Sequence, residues 1–332
     1  MLATVPEFVR FRYLLAWAAL AVLLCVLPFF LSYSQKEILV FTTINVILVV
    51  SYRHLTLTGE WSLGHVVMMG CGAYGSALAS KQLGLAVPLS MLLGGVCAAL
   101  VGWLLSYPLF RMKGFYFLIG SFAAGEVIRL LWKRFRDPFG GPKGLKRVPG
   151  LEEFEFAGLR IDFFDPVPYY FFSLAVAIVC IWLLWRIERS PLGWSYHAVH
   201  WGDDLARSVG IPTRGLRRSA MVTASFFAGI SGALLVHYVG AVNPSRFNVE
   251  EMVYVLTWAI VGGVATLYGP ILGVVSLTIV NEIILREFGL DQWRPLFYGA
   301  LLIVSVLFLP KGLESLVVPA RSMLSRLWTR SA

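Results

Sequence analysis

Charge is what this 332-residue chain has least of: 14% of its residues are Asp, Glu, Lys or Arg, against 58% hydrophobic. A soluble domain carries roughly 25% charged residues, and a domain of this length needs a wet surface, so a soluble core does not explain the deficit. A surface that faces lipid does, and the mean hydropathy of +0.74 agrees. Cysteine is sparse too. Cys25, Cys71, Cys97 and Cys180 stand alone in apolar segments, without CxxC or Cys/His pairing, which leaves zinc and dithiol motifs unsupported. No GxxxxGK[ST] occurs, so the chain has no Walker motif with which to hydrolyse ATP. His54, His197, His200 and His237 show no metal-ligand spacing. Asp203 and Asp204 form a single acidic pair, where a magnesium-dependent prenyl-transfer enzyme needs two clusters. Neither metal nor cofactor is expected, nor enzymatic activity.

The net charge of +9 does not indicate nucleic acid, because Lys and Arg sit in short runs between apolar stretches. That placement orients a protein in a membrane. A spanning helix needs about 20 apolar residues, since ~30 Å of hydrocarbon is crossed at ~1.5 Å per residue. Candidate spans are 13–32, 38–52, 63–80, 87–109, 114–132, 168–185, 219–240, 251–266, 268–285 and 295–310. Arg10 and Arg12 precede the first run and no small-x-small cleavage site follows it, so it reads as a retained helix. The fold class is all-α: a polytopic membrane bundle of about ten spans, eight or nine if some segments are re-entrant, treated as one domain over 1–332. With both termini cytoplasmic, fifteen basic residues fall on the inner side, and short outer loops receive five (Lys36, Lys81, Arg246, Arg286, Arg294). Segment 133–167 is then an external, periplasmic loop, and 188–218 is cytoplasmic with a helix-like middle.

Two membrane segments are rich in glycine. In GEWSLGHVVMMGCGAYG (59–75), Gly59, Gly64, Gly70, Gly72 and Gly75 are expected to loosen the helix beside polar Ser62 and His65. Backbone freed by an unwound turn must find partners in protein or in a wet cavity. Ser62, Gly64, His65, Gly70 and Gly72 are therefore candidates for lining a solute path, with close packing through small residues as the alternative. In VGGVATLYGPILG (261–273), Gly269 and Gly273 form a GxxxG, and Pro270 suits a helix start, so a tight turn between packed segments is expected. Glu126 and Arg129 stand at i,i+3 in the fifth span: a path or gate residue, or a pair that satisfies itself.

The cytoplasmic segment RIERSPLGWSYHAVHWGDDLARSVGIPTRGLRRSA (186–220) resembles the coupling loop of bacterial ABC importer permeases, with Asp204, Leu205 and Ala206 in place of the usual triplet and Gly210 four residues on. The chain resembles LivM-type permeases of the branched-chain amino acid importer family in seven stretches. These are SLGH…GCGAYG (62–75), GFYFLIGSFAAGEVIRL (114–130), GGPKGL (140–145), LARSVGI (205–211), SFFAGISGALL (225–235), VGGVATLYGPILG (261–273) and LPKGL (309–313). The resemblance implies an ABC importer permease fold with broken helices in the bacterial inner membrane. It also implies a second, LivH-like permease subunit, two cytoplasmic ATPase subunits and a periplasmic solute-binding protein. Lipid is a partner by composition; nucleic acid is not. A coupling helix at about 194–208 would seat Asp203, Asp204, Leu205 and Ala206 in the ATPase groove, ended by Gly210 and Pro212. Where the family has a basic–acidic run this chain has HAVHWGDD (197–204). A branched-chain or other hydrophobic amino acid is the expected solute; urea, short amides and aromatic carboxylates are carried by related permeases. An ion-coupled secondary transporter is the rival, with Glu126, Asn45 and His65 as its only intramembrane polar candidates.

Overall fold

The computed structural model describes residues 22–112, 114–151, 154–156, 159–163, 165–281, 291–309 and 311–315. Of the first expected span 22–32 falls among them, with 22–30 helical, and both termini lie outside. Then follow α1 Tyr33–Thr56, α2 His65–Leu83, α3 Val87–Leu109, α4 Phe115–Arg134, α5 Pro166–Glu188, α6 Pro191–Trp201, α7 Asp203–Ser208, α8 Thr213–Val239, α9 Val249–Gly262, α10 Tyr268–Ile279 and α11 Arg294–Phe308. Local chemistry sets the boundaries. The Ser32 amide donates to Gln35 Oε1 at 3.1 Å ahead of α1. Asp165 accepts from the Val167 amide at 3.2 Å, and Asn248 from the Glu251 amide at 3.0 Å, each supplying a partner for a helix-start N–H. Gly84 closes α2 at φ +62, a conformation open to glycine.

Helices α1, α3, α4, α5 and α8 are long and apolar enough to cross a membrane, and α10 and α11 are shorter apolar helices. The architecture is a helical membrane bundle, as the sequence implies. Two expectations need correction. The single helix at 194–208 is two, α6 and α7, because Gly202 takes an extended conformation at φ −170 and ψ 86. The span 251–266 stops at Gly262, and the 14 residues of α9 rise only about 21 Å. It still joins the two ends of the bundle: its start lies beside Arg246, and the turn after it is held by Arg53 at the end of α1.

The glycines of 59–75 also differ from expectation. Gly70, Gly72 and Gly75 do not unwind anything; α2 is continuous from His65. They let backbones meet. A Cβ on Gly72 would overlap the backbone of Gly229, one on Gly94 would stand 2.5 Å from the Gly72 oxygen, and one on Gly232 would overlap Met69. Helices α2, α3 and α8 thus pack through small residues, where van der Waals contact drives association in lipid. A buried polar triangle pins this trio: His237 Nε2 lies 2.7 Å from Ser76 Oγ and 3.2 Å from Ser90 Oγ, and His237 Nδ1 lies 2.6 Å from the Pro149 carbonyl.

Pro149 belongs to the segment after α4, which forms a 3₁₀ turn (Gly141–Lys143), strand β1 (Leu145–Lys146) and a hairpin of β2 (Phe154–Phe156) with β3 (Leu159–Ile161). Strand β1 pairs antiparallel with β4 (Ala241–Val242), Leu145 opposite Val242. This end of the bundle is called the strand face; the opposite end, carrying α6 and α7, is the helix face. The flanks are apolar: α3 exposes Leu92, Val96, Leu100 and Leu104, and α4 exposes Phe115, Tyr116 and Val127. A soluble monomer does not expose that much contiguous apolar area.

Candidate solute path and coupling face

A cavity of about 470 Å³ opens on the strand face between α1, α9 and α11. Its lining runs along α1 from Ser34 and Glu37 through Thr42 and Asn45 to Leu48, a descent of about 21 Å at helical rise. Arg246, Glu251 and Arg294 stand with Glu37 near the mouth, and Leu48, Val66, Met69, Val255 and Trp258 line the depth. The site is therefore charged at its mouth and apolar at its floor. Of the path residues expected from sequence, Ser62, Gly64, His65, Gly70, Gly72 and Glu126, none lines it, although Val66 and Met69 of the same helix do.

Those six residues have other surroundings. Ser62, Gly64 and His65 border a separate pocket of about 10 Å³ with Ser121 and Ser225, room for one water at most. The Leu63 amide donates to Ser121 Oγ of α4 at 3.0 Å and the Gly64 amide to Ser62 Oγ at 3.1 Å, so both amides of the turn before α2 are satisfied within the protein. A Cβ on Gly64 would lie 2.5 Å from the Ser121 oxygen. Ser51 Oγ donates to the Leu48 carbonyl at 2.7 Å, which leaves it to accept from His65 Nε2 at 2.9 Å. Tyr52 packs on the His65 ring at a centroid distance of 5.4 Å, under the floor of the larger cavity. Gly70 faces Trp132 and Phe247, and Gly72 faces Gly229. Glu126 forms a two-pronged ion pair with Arg129 on the partly exposed side of α4.

Below the floor lies a cluster that sequence reasoning missed. Arg53 donates to Glu188 through two bonds of 2.7 Å, and also to the carbonyls of Val264 at 3.0 Å and Ala265 at 3.2 Å. Glu314 takes the other side of that turn, accepting from the Ala265 amide at 2.9 Å and the Thr266 amide at 2.8 Å. Gly262, Gly263, Gly269 and Gly312 leave no space for side chains where α9, α10 and the 311–315 segment meet. Arg53 and Glu188 are far apart in sequence and sit at apparent span ends, where charges normally reach water. Nothing local signals their pairing.

On the helix face, α6 lies against the bundle through buried Gly193, Tyr196 and Val199, with Tyr196 Oη 2.9 Å from Ser219 Oγ. Burial holds the His197 pKa below its ordinary value, with Glu188 opposing. Of the coupling residues, Asp203 turns inward: it meets Arg207 at 2.9 Å and Arg217 at 3.7 Å, and Arg217 also holds Glu60 at 3.1 Å. Ala206 is buried, while Asp204 and Leu205 face out. Gly210 takes φ +85, its amide bonding the Arg207 carbonyl at 2.9 Å, and Pro212 leads into α8. Trp194, Trp201, Leu205 and Val209 are each at least 70% exposed, an apolar surface on the two short helices. Among the described residues no cluster of His, Cys, Asp and Glu could hold a metal.

A glycine-packed membrane bundle, a deep amphipathic cavity entered from one end and short helices with apolar surface at the other define a multi-pass transport protein. The profile described as branched-chain amino acid transport system / permease component matches residues 35–306, and the chain belongs to that family of ABC-type permeases. It is 28% identical to the high-affinity branched-chain amino acid transport system permease protein LivM of Escherichia coli K12, over 91% of this chain and 75% of that one. The LivM of Salmonella typhimurium LT2 gives the same identity and coverage. The autoinducer 2 import system permease protein LsrC of Enterobacter sp. 638 is 25% identical, over 88% of this chain and 83% of that one. No solved structure matches.

Proposed function

We propose that this chain is one membrane subunit of an ATP-driven importer that brings a branched-chain or similar apolar amino acid from the periplasm to the cytoplasm. Its partners in this reading are a second, LivH-like permease subunit, two cytoplasmic ATPases and a periplasmic solute-binding protein. The strand face, with 133–167, is periplasmic. The helix face, with 188–218 and both termini, is cytoplasmic in the bacterial inner membrane.

One observation carries the reading: α6 and α7 are rooted in the bundle by Tyr196, Val199 and Ala206 while presenting Trp201, Leu205 and Val209 outward. Large apolar side chains held on a rigid support outside the hydrocarbon favour a protein groove as their partner. The ion pair of Asp203 with Arg217 ties such a docking surface to α8, so movement of the ATPase is passed to the core trio. The solute path runs from the strand-face cavity past Val66 and Met69 toward the turn at 62–65, which an inward-open state has to loosen. Nucleotide drives that switch only by binding the two states unequally.

The similarity to LsrC permeases supports a second reading in which the same machine carries another small polar solute. Reconstitution with the neighbouring ATPase, permease and receptor genes tests both. Uptake of labelled L-leucine should require ATP with proton and sodium gradients collapsed. Uptake that ignores ATP and follows an ion gradient would remove the importer reading.

A further inference from the structure

The 470 Å³ cavity has the size of a small-molecule site, which typically spans about 300–1,000 Å³. Its charges are mixed. Glu37 and Glu251 bring carboxylates, and Arg246 and Arg294 bring guanidinium groups, to the same lining. Thr42 and Asn45 follow on the same wall, and then Leu48, Val255 and Trp258. An anion or a cation alone would meet one sign of charge it cannot match. A neutral polar solute would leave the apolar floor idle. A molecule with both charges at one end and a hydrocarbon branch at the other meets every part of the lining.

We propose that this cavity is a transit site for a zwitterionic α-amino acid with an apolar side chain. The carboxylate lies toward Arg246, the ammonium toward Glu251 and Glu37, and the side chain on Leu48, Val255 and Trp258. The proposal rests on the importer reading above and adds a place and a chemistry within this one subunit. The site holds its cargo on the way through, so its affinity is modest.

The experiment uses the assembled transporter in proteoliposomes, without the solute-binding protein, so that recognition by that partner is removed. The four native cysteines are replaced, and Thr42→Cys or Asn45→Cys supplies a thiol in the cavity wall. A membrane-impermeant thiol reagent added from the strand-face side should label either position. A ligand at ten times its half-protecting concentration should slow labelling about tenfold. L-leucine should protect, whereas 4-methylpentanoate, which lacks the ammonium, and isoamylamine, which lacks the carboxylate, should not. Arg246→Gln and Glu251→Gln should abolish protection, and Arg246→Lys should restore part of it. Leucine uptake is measured on the same preparations with the receptor added back. ATP-driven leucine uptake without any protection would overturn the site and leave the importer reading standing. Protection by 4-methylpentanoate or isoamylamine equal to that by leucine would overturn the zwitterion assignment. Failure to transport any amino acid with all partners present would overturn the importer reading and this site with it.

Discussion

Replacing Arg53 by Met tests whether the knot beneath the cavity floor holds the bundle together. Arg53 is 2% exposed and Glu188 19%. The substitution removes two charge-assisted bonds of 2.7 Å and leaves a carboxylate with little access to water. Breaking a buried ion pair from one side costs about 3–5 kcal/mol. Because Glu188 keeps some solvent, the lower end of that range applies. The Val264 and Ala265 carbonyls lose their donor as well, at roughly 1 kcal/mol each. The single variant should therefore lose about 4–5 kcal/mol. Adding Glu188→Leu removes the stranded charge, and an apolar pair in place of an ion pair is near neutral. The double variant should retain only the carbonyl loss, about 1–2 kcal/mol. Arg53→Lys should fall between the two, since an ammonium supplies charge without the planar fork. The assay is the apparent melting temperature of the purified complex in one detergent, with loss of the monodisperse peak as readout. The expected order is wild type, double variant, Arg53→Lys, Arg53→Met. A double variant as unstable as Arg53→Met would show that the cost lies in packing or backbone, and the electrostatic account would fail.

Gly72→Val should abolish assembly of the bundle, because its side chain meets the Gly229 backbone; near-normal yield of monodisperse protein would refute the close approach of α2 and α8. Leu205→Glu should insert normally and lose copurification of the ATPase subunits by tenfold or so, about 1.4 kcal/mol of binding; unchanged copurification would remove α7 from the docking surface. Gly210→Glu should weaken the same contact, whereas Gly210→Asn should be tolerated, since φ +85 and not lack of space restricts the position. Glu314→Ala frees the amides of Ala265 and Thr266, and should raise hydrogen exchange across 263–269 while leaving α2 and α8 protected. A cysteine at Asp204 or Ser208 should react only from the cytoplasm and one at Lys146 only from the periplasm; the reverse pattern would invert the orientation.

Much of this fold is legible because lipid imposes a length. Runs of about 20 apolar residues mark α3 at 87–109, its observed bounds, and place α4 and α5 to within three residues and α1 and α8 to within six. The Glu126–Arg129 pair is legible because three residues along a helix is one face. Where legibility fails, the missing information is a partner. Gly70 and Gly72 look alike whether they unwind a helix or admit a neighbour, and only the arrival of Trp132 and Gly229 decides. Gly202 and the acidic pair after it suit a helix start, but only the extended φ −170 at Gly202 tells a break between α6 and α7 from one continuous helix. Arg53 and Glu188 meet across 135 residues, and Glu314 reaches a turn 48 residues away.

The same distinction explains why the sequence points to the machine and is silent on the cargo. Six of the seven family-like stretches hold places where backbones touch or turn: Gly72 with Gly229, the knot of Gly262, Gly269 and Gly312, the φ +85 of Gly210, the φ +67 of Gly144. A Cβ at the first five of these positions meets backbone or has no room, so the stretches record how the bundle closes. Glu37, Asn45, Arg246, Glu251, Trp258 and Arg294, which line the cavity, all fall outside them. Side chains on a fixed scaffold can change without disturbing helix contacts, and solute choice can vary among permeases that share every packing glycine. A difference in cargo between this chain and a LivM or LsrC relative should therefore map to those six positions. Exchanging them, with α2, α3 and α8 untouched, should change which ligand protects a thiol at Thr42 while the complex assembles as before. An exchange that alters assembly but not ligand choice would place specificity elsewhere, in the receptor or the second permease subunit.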